Sequence, residues 1–379
     1  MHIVYLTSEY PQPNIPHGGV GTFVQTIARK LVQNGIDVSV IGINHNEKYE
    51  EYEDEGVYIY RLVPHRLKGI KGILNYFAIN RKIAEIHQNK TITIVEGSEM
   101  SLAFINKIPS IKYIVRLHGG HHFFAESENR SVNWWKAFQE KRSFDNADKI
   151  IGVSQYVVDH TSKYIDFESK KAGVIFNPAN LSRFYEADTS KIVNRRIFFA
   201  GTICEKKGIR QLILAMPQIK KSFPDAHLVI AGRDWFFPKT KKSYTDYLKT
   251  FITEEVNDSI QFLGSIENSQ IPIEIEKAEV CCYPSHMEAM PLAWVEVMSM
   301  GKSFVTSKLG PGKELIQDTV TGLLCNPLDS KDIADKIIYA FENKEKVQTI
   351  ANNGRKYAFA NFALEKIVRQ NIDFYKSII

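Results

Sequence analysis

Short apolar runs alternate with helix-patterned segments along nearly the whole chain, and that alternation admits few folds. Ile3 to Leu6 reads as a buried strand, and a loop with Pro11, Pro13, Pro16 and Gly18-Gly19 follows it. Val20, Phe23, Val24, Ile27, Ala28, Leu31 and Val32 then recur at helical spacing and form one apolar face. Asn34-Gly35 ends that helix, and Val38 to Ile41 is the next strand. Strand, helix and strand in this order imply a parallel sheet with a helical crossover.

The alternation continues with strands at Ile92 to Val95, Tyr113 to Leu117, Lys149 to Val153 and Val174 to Phe176. Helical segments fall near 75–88, 133–145 and 155–165. Asn177-Pro178 interrupts the series, and residues 180–195 are polar without clear periodicity, as a linker would be. A second series opens at Ile197 to Ala200. It runs through His227 to Ala231, Ile260 to Leu263, Val280 to Tyr283, Phe304 to Thr306 and Gly322 to Cys325. A chain of 379 residues is too long for one ordinary core. Two doubly wound α/β domains in tandem are expected, with a cleft between two sets of strand carboxyl ends.

Composition narrows the partners. The chain is 44% hydrophobic and 24% charged, with 48 basic and 43 acidic residues. A net charge of +5 does not call for nucleic acid, and phosphorylated substrates or an anionic membrane surface suit it equally well. Cys204, Cys281, Cys282 and Cys325 form no CxxC, so they read as reduced core residues. Met1 to Ser8 lacks the basic start and long apolar centre of a signal peptide, and no apolar stretch reaches membrane-spanning length. A cytoplasmic protein is expected, with peripheral contact at the inner membrane face left open. Residues 64–90 carry that possibility. There Arg66, Lys68, Lys71, Arg81, Lys82 and Lys90 interleave with Ile70, Ile73, Leu74 and Phe77, although an ordinary solvated face would look the same.

The chemistry concentrates after the strand Val280 to Tyr283. Glu288 and Glu296 are separated by seven residues, with the start of a helix between them. Carboxylates at a strand's carboxyl end can accept hydrogen bonds from sugar hydroxyls, and a helix N-terminus can face a phosphate. Helix-terminal acids are also common on purely electrostatic grounds. Gly18 and Gly19 open the first helix, where they either form a turn or let backbone amides approach an anion. His118 follows a buried strand, with His121 and His122 nearby. No acid stands at ligand spacing beside these histidines, so a metal is not expected. Lys207 follows Gly201 and a strand, Arg233 follows Gly232 and a strand, and Glu314 opens a later helix. Gly301-Lys302-Ser303 fails as a P-loop because Glu296 occupies the earlier glycine position. Asp-x-Asp, HExxH and Gly-x-Ser-x-Gly are absent.

Several of these motifs, in this order, resemble the retaining glycosyltransferases of family 4, which have the GT-B fold. Gly18-Gly19-Val20-Gly21 is similar to that family's glycine-rich first loop, and Arg116-Leu117-His118-Gly119 to its loop histidine. Val174 to Pro178 resembles the strand before its interdomain crossing. Phe199 to Gly208 resembles its phosphate loop, Phe262-Leu263-Gly264 the segment before its nucleotide pocket, and Glu288…Glu296 its E-x7-E pair. The resemblance covers nearly the whole chain. It implies two Rossmann-like doubly wound domains facing each other across a cleft. Residues 1–178 would form the acceptor-side domain, 179–196 the linker and 197–360 the nucleotide-sugar donor domain, with a helix at 361–379 packing back on the N-terminal domain.

The resemblance also implies roles. Glu296 would grip the ribose hydroxyls, Glu288 the transferred sugar, and His118 would hydrogen-bond that sugar. Lys207 and the Gly18-Gly19 amides would meet the diphosphate, with Thr202, Arg233, Met290, Pro291, Leu292 and Glu314 completing the donor site. Three positions depart from the family pattern. Thr202 stands where an arginine is usual, leaving Lys206, Lys207 and Arg233 as candidate counter-charges. Ala289-Met290-Pro291 replaces Gly-Phe-Gly, so a phosphate-facing amide must come from Leu292 or Ala293. Asn177-Pro178 replaces Asn-Gly.

The implied activity is retaining hexosyl transfer from a nucleotide-diphosphate sugar to a glycan or lipid-linked acceptor, without a metal, in cell-surface polysaccharide or glycoconjugate synthesis. The acceptor hydroxyl would attack from the front face and pass its proton to the donor phosphate. A nucleotide-sugar epimerase on the same fold and a non-catalytic sugar-nucleotide or glycan-binding protein are the alternatives.

Overall fold

The computed structural model describes residues 1–12, 18–67, 69–128 and 130–379. Pro13, Pro16 and Lys68 lie outside the described residues. The chain forms two units: Met1–Pro178 with Leu364–Ile379, and Ala179–Ala363.

The first unit is an eight-stranded sheet with helices. Its strands are β1 (His2–Leu6), β2 (Asp37–Ile43), β3 (Glu50–Asp54), β4 (Val57–Leu62), β5 (Ile94–Gly97), β6 (Lys112–Leu117), β7 (Lys149–Gly152) and β8 (Lys171–Val174). Between them run α1 (Gly19–Gln33), α2 (Lys71–Asn89), α3 (His121–Ser127), α4 (Trp134–Asn146) and α5 (Gln155–Ser162). The order β3-β4-β2-β1-β5-β6-β7-β8 reverses direction between β1 and β5. All pairings are parallel except β3 with β4.

The sequence pattern missed this β3–β4 hairpin. Its outer strand Glu50–Asp54 is mostly exposed and charged, so it carries no apolar signal. Its turn is Glu55-Gly56, both at positive φ (49° and 84°), as a two-residue type I′ hairpin requires. The alternation of buried and exposed positions in Val57–Leu62 was the available clue.

The second unit holds six parallel strands in the order β11-β10-β9-β12-β13-β14. They are β9 (Arg196–Ala200), β10 (His227–Ala231), β11 (Ile260–Gly264), β12 (Val280–Tyr283), β13 (Phe304–Ser307) and β14 (Leu323–Cys325). Its helices are α6 (Ile209–Ser222), α7 (Tyr244–Lys249), α8 (Ile271–Lys277), α9 (Leu292–Ser299), α10 (Gly312–Leu315), α11 (Ser330–Glu342) and α12 (Lys344–Phe362). This is the doubly wound order, and its switch point lies between β9 and β12. Short runs suffice for the central strands because they are buried throughout: Val280, Cys281 and Cys282 of β12 are each 0% exposed, whereas the edge strand β11 is partly exposed.

The polar stretch after Pro178 is not a free linker. It packs into the second unit through the Ala179 amide on Phe362 O (3.1 Å), Ala187 on Met300 O (3.0 Å) and Val193 on Lys277 O (2.9 Å). Its short 3-10 turns at Leu181–Arg183 and Thr189–Lys191 have no periodicity for a sequence to display. The chain re-enters the first unit at α13 (Leu364–Ile378). There Ile367, Val368 and Tyr375 join the core beside Val24, Ile27 and Leu31 of α1. Burying each such aliphatic side chain is worth about 1.5–3 kcal/mol.

Candidate active site

In the second unit two loops leave the switch point side by side. After β9 the chain passes Gly201 and Thr202, makes a 3-10 turn at Glu205–Lys207, and enters α6 through Gly208. After β12 it runs Pro284-Ser285-His286-Met287-Glu288 toward α9. The His286 amide donates to Lys206 O at 2.7 Å, and His286 Nε2 meets Gln211 Oε1 at 3.1 Å. Gly208 sits at φ 71°, and a Cβ there would lie 1.9 Å from Pro284 O. Only glycine allows this approach.

That approach brings Lys207 to Glu288. Lys207 Nζ donates to Glu288 Oε1, and both side chains are largely enclosed, at 24% and 14% exposure. Burial alone would lower the Lys207 ammonium, but the Glu288 carboxylate outweighs it and the net shift is upward. Lys207 is therefore a cation at neutral pH.

Glu296 is the opposite case. It lies on α9 between Val295 and Val297, both 0% exposed. Among the described residues its carboxylate has no hydrogen-bond or ion-pair partner. Burial pushes the carboxyl up to about 7, against a smaller pull from Arg183. A half-buried carboxylate with no partner of its own is free to accept hydrogen bonds from a ligand. No side chain caps α9, whose N-cap position is Pro291, so the Leu292 and Ala293 amides at its start lack a capping acceptor.

The remaining donor-side candidates lie on loops and helices of the same unit. Thr202 is half-buried in the loop after β9, and Met290 is buried just before α9. Arg233, after β10, is exposed, and its side chain pairs with no group among the described residues. Its carbonyl accepts the Ile203 amide at 2.9 Å, which draws the β9 and β10 loops together. Glu314 is half-buried on α10, beyond the end of β13. The sequence reading overlooked Glu205. Arg210 Nη2 donates to it at 2.6 Å, and Tyr244 OH also donates to it. Burial opposes its ionisation, yet these donors hold it down at about 2, which fixes the turn that carries Lys207. The five-residue spacing of Glu205 and Arg210 across a turn was the only signal in the sequence.

In the first unit Gly18 is the N-cap residue of α1, with no side-chain cap, and Gly19 begins the helix. The Glu9 carboxylate lies against Gly18. His118 leaves the end of β6 and sits 5.0 Å from the Phe23 ring of α1, so the histidine and the glycine loop belong to one region. Burial and the neighbouring Arg116 lower its imidazole to about 3, which keeps it neutral.

Two acids unforeseen from the sequence hold the loop after His118. The Gly119 amide donates to Glu99 Oε1 at 2.7 Å, and the His121 amide to Glu140 Oε1 at 2.8 Å. Burial pushes Glu99 up to about 8. Glu140 stands beside the histidines in space although no acid is at ligand spacing in the sequence, because α4 delivers it from 18 residues along the chain. It meets His122 Nδ1 at 2.5 Å, and His121 Nε2 accepts the Asn133 amide at 2.8 Å. Among the described residues no three His, Cys, Asp or Glu side chains are placed to hold a metal. A cavity of about 240 Å³ opens at the carboxyl ends of β1 and β2, lined by Thr7, Ser8, Gly42, Asn75, Tyr76 and Ser101.

The basic segment 64–90 is less uniform than its sequence suggests. Lys82 is buried against Glu85 (2.7 Å) and the rings of Tyr49 and Tyr60, and Lys90 pairs with Asp37 (2.5 Å). Lys71 and Arg81 remain exposed without an ion pair among the described residues. No helix among those residues is long and apolar enough to cross a membrane.

Comparison with known proteins agrees with this architecture. The family described as glycosyl transferases group 1 matches residues 188–357, and glycosyltransferase family 4 matches residues 17–183. An uncharacterized glycosyltransferase of Haemophilus influenzae is 24% identical over 361 residues, spanning 93% of this chain and 95% of its own. Sucrose-phosphate synthase of Thermosynechococcus elongatus superposes with a TM-score of 0.84 at 19% identity, over 100% of this chain and 99% of the other. The Anabaena HepE protein, solved with UDP and glucose, does so with a TM-score of 0.78 at 19% identity and 100% of both chains. With both halves matched, and a doubly wound sheet in each unit, the chain belongs to the group 1 glycosyltransferases of the GT-B fold.

Proposed function

We propose that this glycosyltransferase moves a hexosyl group, with retention of configuration, from a nucleotide-diphosphate sugar to a glycan or lipid-linked acceptor. It would act in the cytoplasm in cell-surface polysaccharide or glycoconjugate synthesis. The observation that carries this reading is the unpartnered, half-buried Glu296 carboxylate beside the uncapped start of α9. Two vicinal ribose hydroxyls satisfy such a carboxylate. The Leu292 and Ala293 amides then face the diphosphate, with Thr202, Met290, Pro291 and Arg233 around it. A relative of the same fold solved with UDP supports a nucleotide donor.

The leaving group is a nucleoside diphosphate, and negative charge grows on it as the glycosidic bond breaks. Lys207 and the helix amides stabilise that charge without a metal, and Glu288 orients Lys207 while meeting the sugar hydroxyls. Neutral His118 donates a hydrogen bond to the sugar, near the Gly18-Gly19 amides, and Glu314 accepts from the donor. The acceptor hydroxyl attacks from the leaving-group side and yields its proton to the donor phosphate. Residues 64–90 contribute a peripheral contact with the membrane.

A thermal-shift panel of UDP-, GDP- and ADP-sugars tests the donor class, because a ligand bound only by the folded state raises Tm. Product analysis with and without acceptor then tests transfer. No stabilisation by any nucleotide sugar, or isomerisation of donor with no acceptor present, would overturn the reading.

A further inference from the structure

We infer that the outer faces of α2 and α4 form one surface that seats the protein on an anionic lipid bilayer. This extends the membrane contact of the reading above, yet it rests on geometry independent of sugar transfer. Trp134 is 76% exposed, and Phe138, one turn later on α4, is 46% exposed. A single exposed aromatic needs no explanation, but these are contiguous. Trp135 stands 5.7 Å from Trp134, 5.5 Å from Phe138 and 6.0 Å from Phe104, and Phe104 stands 5.3 Å from Tyr76 of α2. The ring ladder thus joins two helices far apart in sequence. On the α2 side Leu67, Ile70 and Phe77 are 61%, 48% and 60% exposed.

Charge selects the occupant. Lys71, Arg81, Lys136 and Arg142 belong to these helices and form no ion pair among the described residues. Arg142 lies 5.4 Å over the Phe104 ring. The nearby acids are already matched, Asp145 by Lys141 at 3.0 Å and Glu128 by Arg130 at 2.6 Å. Glu140, the other acid of α4, is buried beneath the His118 loop. A face of tryptophan, phenylalanine and uncompensated cations matches the headgroup region of a bilayer. The rings settle at the acyl boundary there, and lysine and arginine meet lipid phosphates. A protein partner of this face would have to bring several acids.

The test is co-flotation of the full chain with vesicles of phosphatidylcholine alone or enriched in phosphatidylglycerol. The wild type is expected to float with the anionic vesicles, less so at high salt, and its tryptophan emission to shift to the blue. Trp134→Ser with Phe138→Ser should lower the partition coefficient about tenfold or more. Lys136→Gln with Arg142→Gln should weaken binding and flatten its salt dependence. These side chains are exposed, so an unchanged Tm shows that folding survives. A wild type that ignores anionic vesicles, that only self-associates, or whose aromatic variant floats equally well would overturn the proposal. Nucleotide-sugar thermal shifts on the same variants report separately on the donor reading.

Discussion

Glu288 and Glu296 are chemically identical, and their surroundings drive them to different work. Glu288 has Lys207 as counter-ion, whereas Glu296 has none and is pushed up to about 7 from 4.5. A raised acid in the folded state means that the unfolded chain releases its proton first as pH rises. Stability from this group is therefore complete below about pH 4.5 and is lost between there and about pH 7, an amount near 3 kcal/mol. Glu296→Gln should abolish that loss, so its stability advantage in urea unfolding grows across this window and then levels off. A pH-independent difference would sink the account. Ribose hydroxyls donating to the carboxylate favour its charged form, so donor binding near pH 6–7 should release a proton, about one per site at most. Calorimetry in two buffers of different ionisation enthalpy detects it. At Lys207, alanine should cut transfer at least about tenfold, or 1.4 kcal/mol of transition-state stabilisation, with the fold intact. Full activity in a folded Lys207→Ala protein would remove Lys207 from the mechanism. The sequence made these three residues visible through their motifs, but not the pairing of Lys207 with Glu288, which lie 81 residues apart. Nor could it show Glu99 and Glu140, which act through a loop that only the folded sheet brings over them.

At the scale of elements, what was legible depended on burial. Strands enclosed on both faces, such as β9 and β12, appear as apolar runs at nearly their true bounds. The hairpin strand β3 did not, because its residues face solvent and its pairing with β4 is set by the turn. The 3-10 turns from 181 to 191 likewise carry no sequence signal, since hydrogen bonds within the second unit shape them rather than any pattern of their own. The junction of β9 and α6 depends on one glycine. Gly208→Ala meets both a left-handed backbone (φ 71°) and the Pro284 carbonyl. The expected cost is about 2 kcal/mol or more, because backbone must shift at a tight contact. Transfer should fall further than stability, because the shift separates Lys207 from Glu288. Urea unfolding and single-turnover transfer on the same variant check it, and an alanine protein of unchanged stability would show that the loop yields freely.

At the scale of the molecule, the last helix closes the first unit through polar chemistry. Arg116 on β6 donates to Glu96 on β5 at 2.6 Å and to Asn371 on α13 at 2.6 Å. Tyr375 OH donates to Glu96 at 2.8 Å and meets Tyr5 OH on β1 at 2.8 Å. All five side chains are buried, so each group satisfies another that would otherwise be stranded. The sequence marks α13 only as a terminal helix. Asn371 and Tyr375 read as ordinary residues until Arg116 and Glu96 are seen beneath them. Arg116 also stacks 4.9 Å from Phe23 and lies two residues before His118, so the network that anchors α13 supports the floor of the glycine and histidine loops. Tyr375→Phe removes one donor from Glu96 and one partner from Tyr5 while keeping the ring. The expected loss is about 1–3 kcal/mol, the cost of leaving buried polar groups unsatisfied. Because the loss is local to α13, it should show first as faster hydrogen exchange across Leu364–Ile378, before any change in the second unit. Unchanged exchange in α13 would mean that its apolar face alone, through Ile367 and Val368, holds it in place.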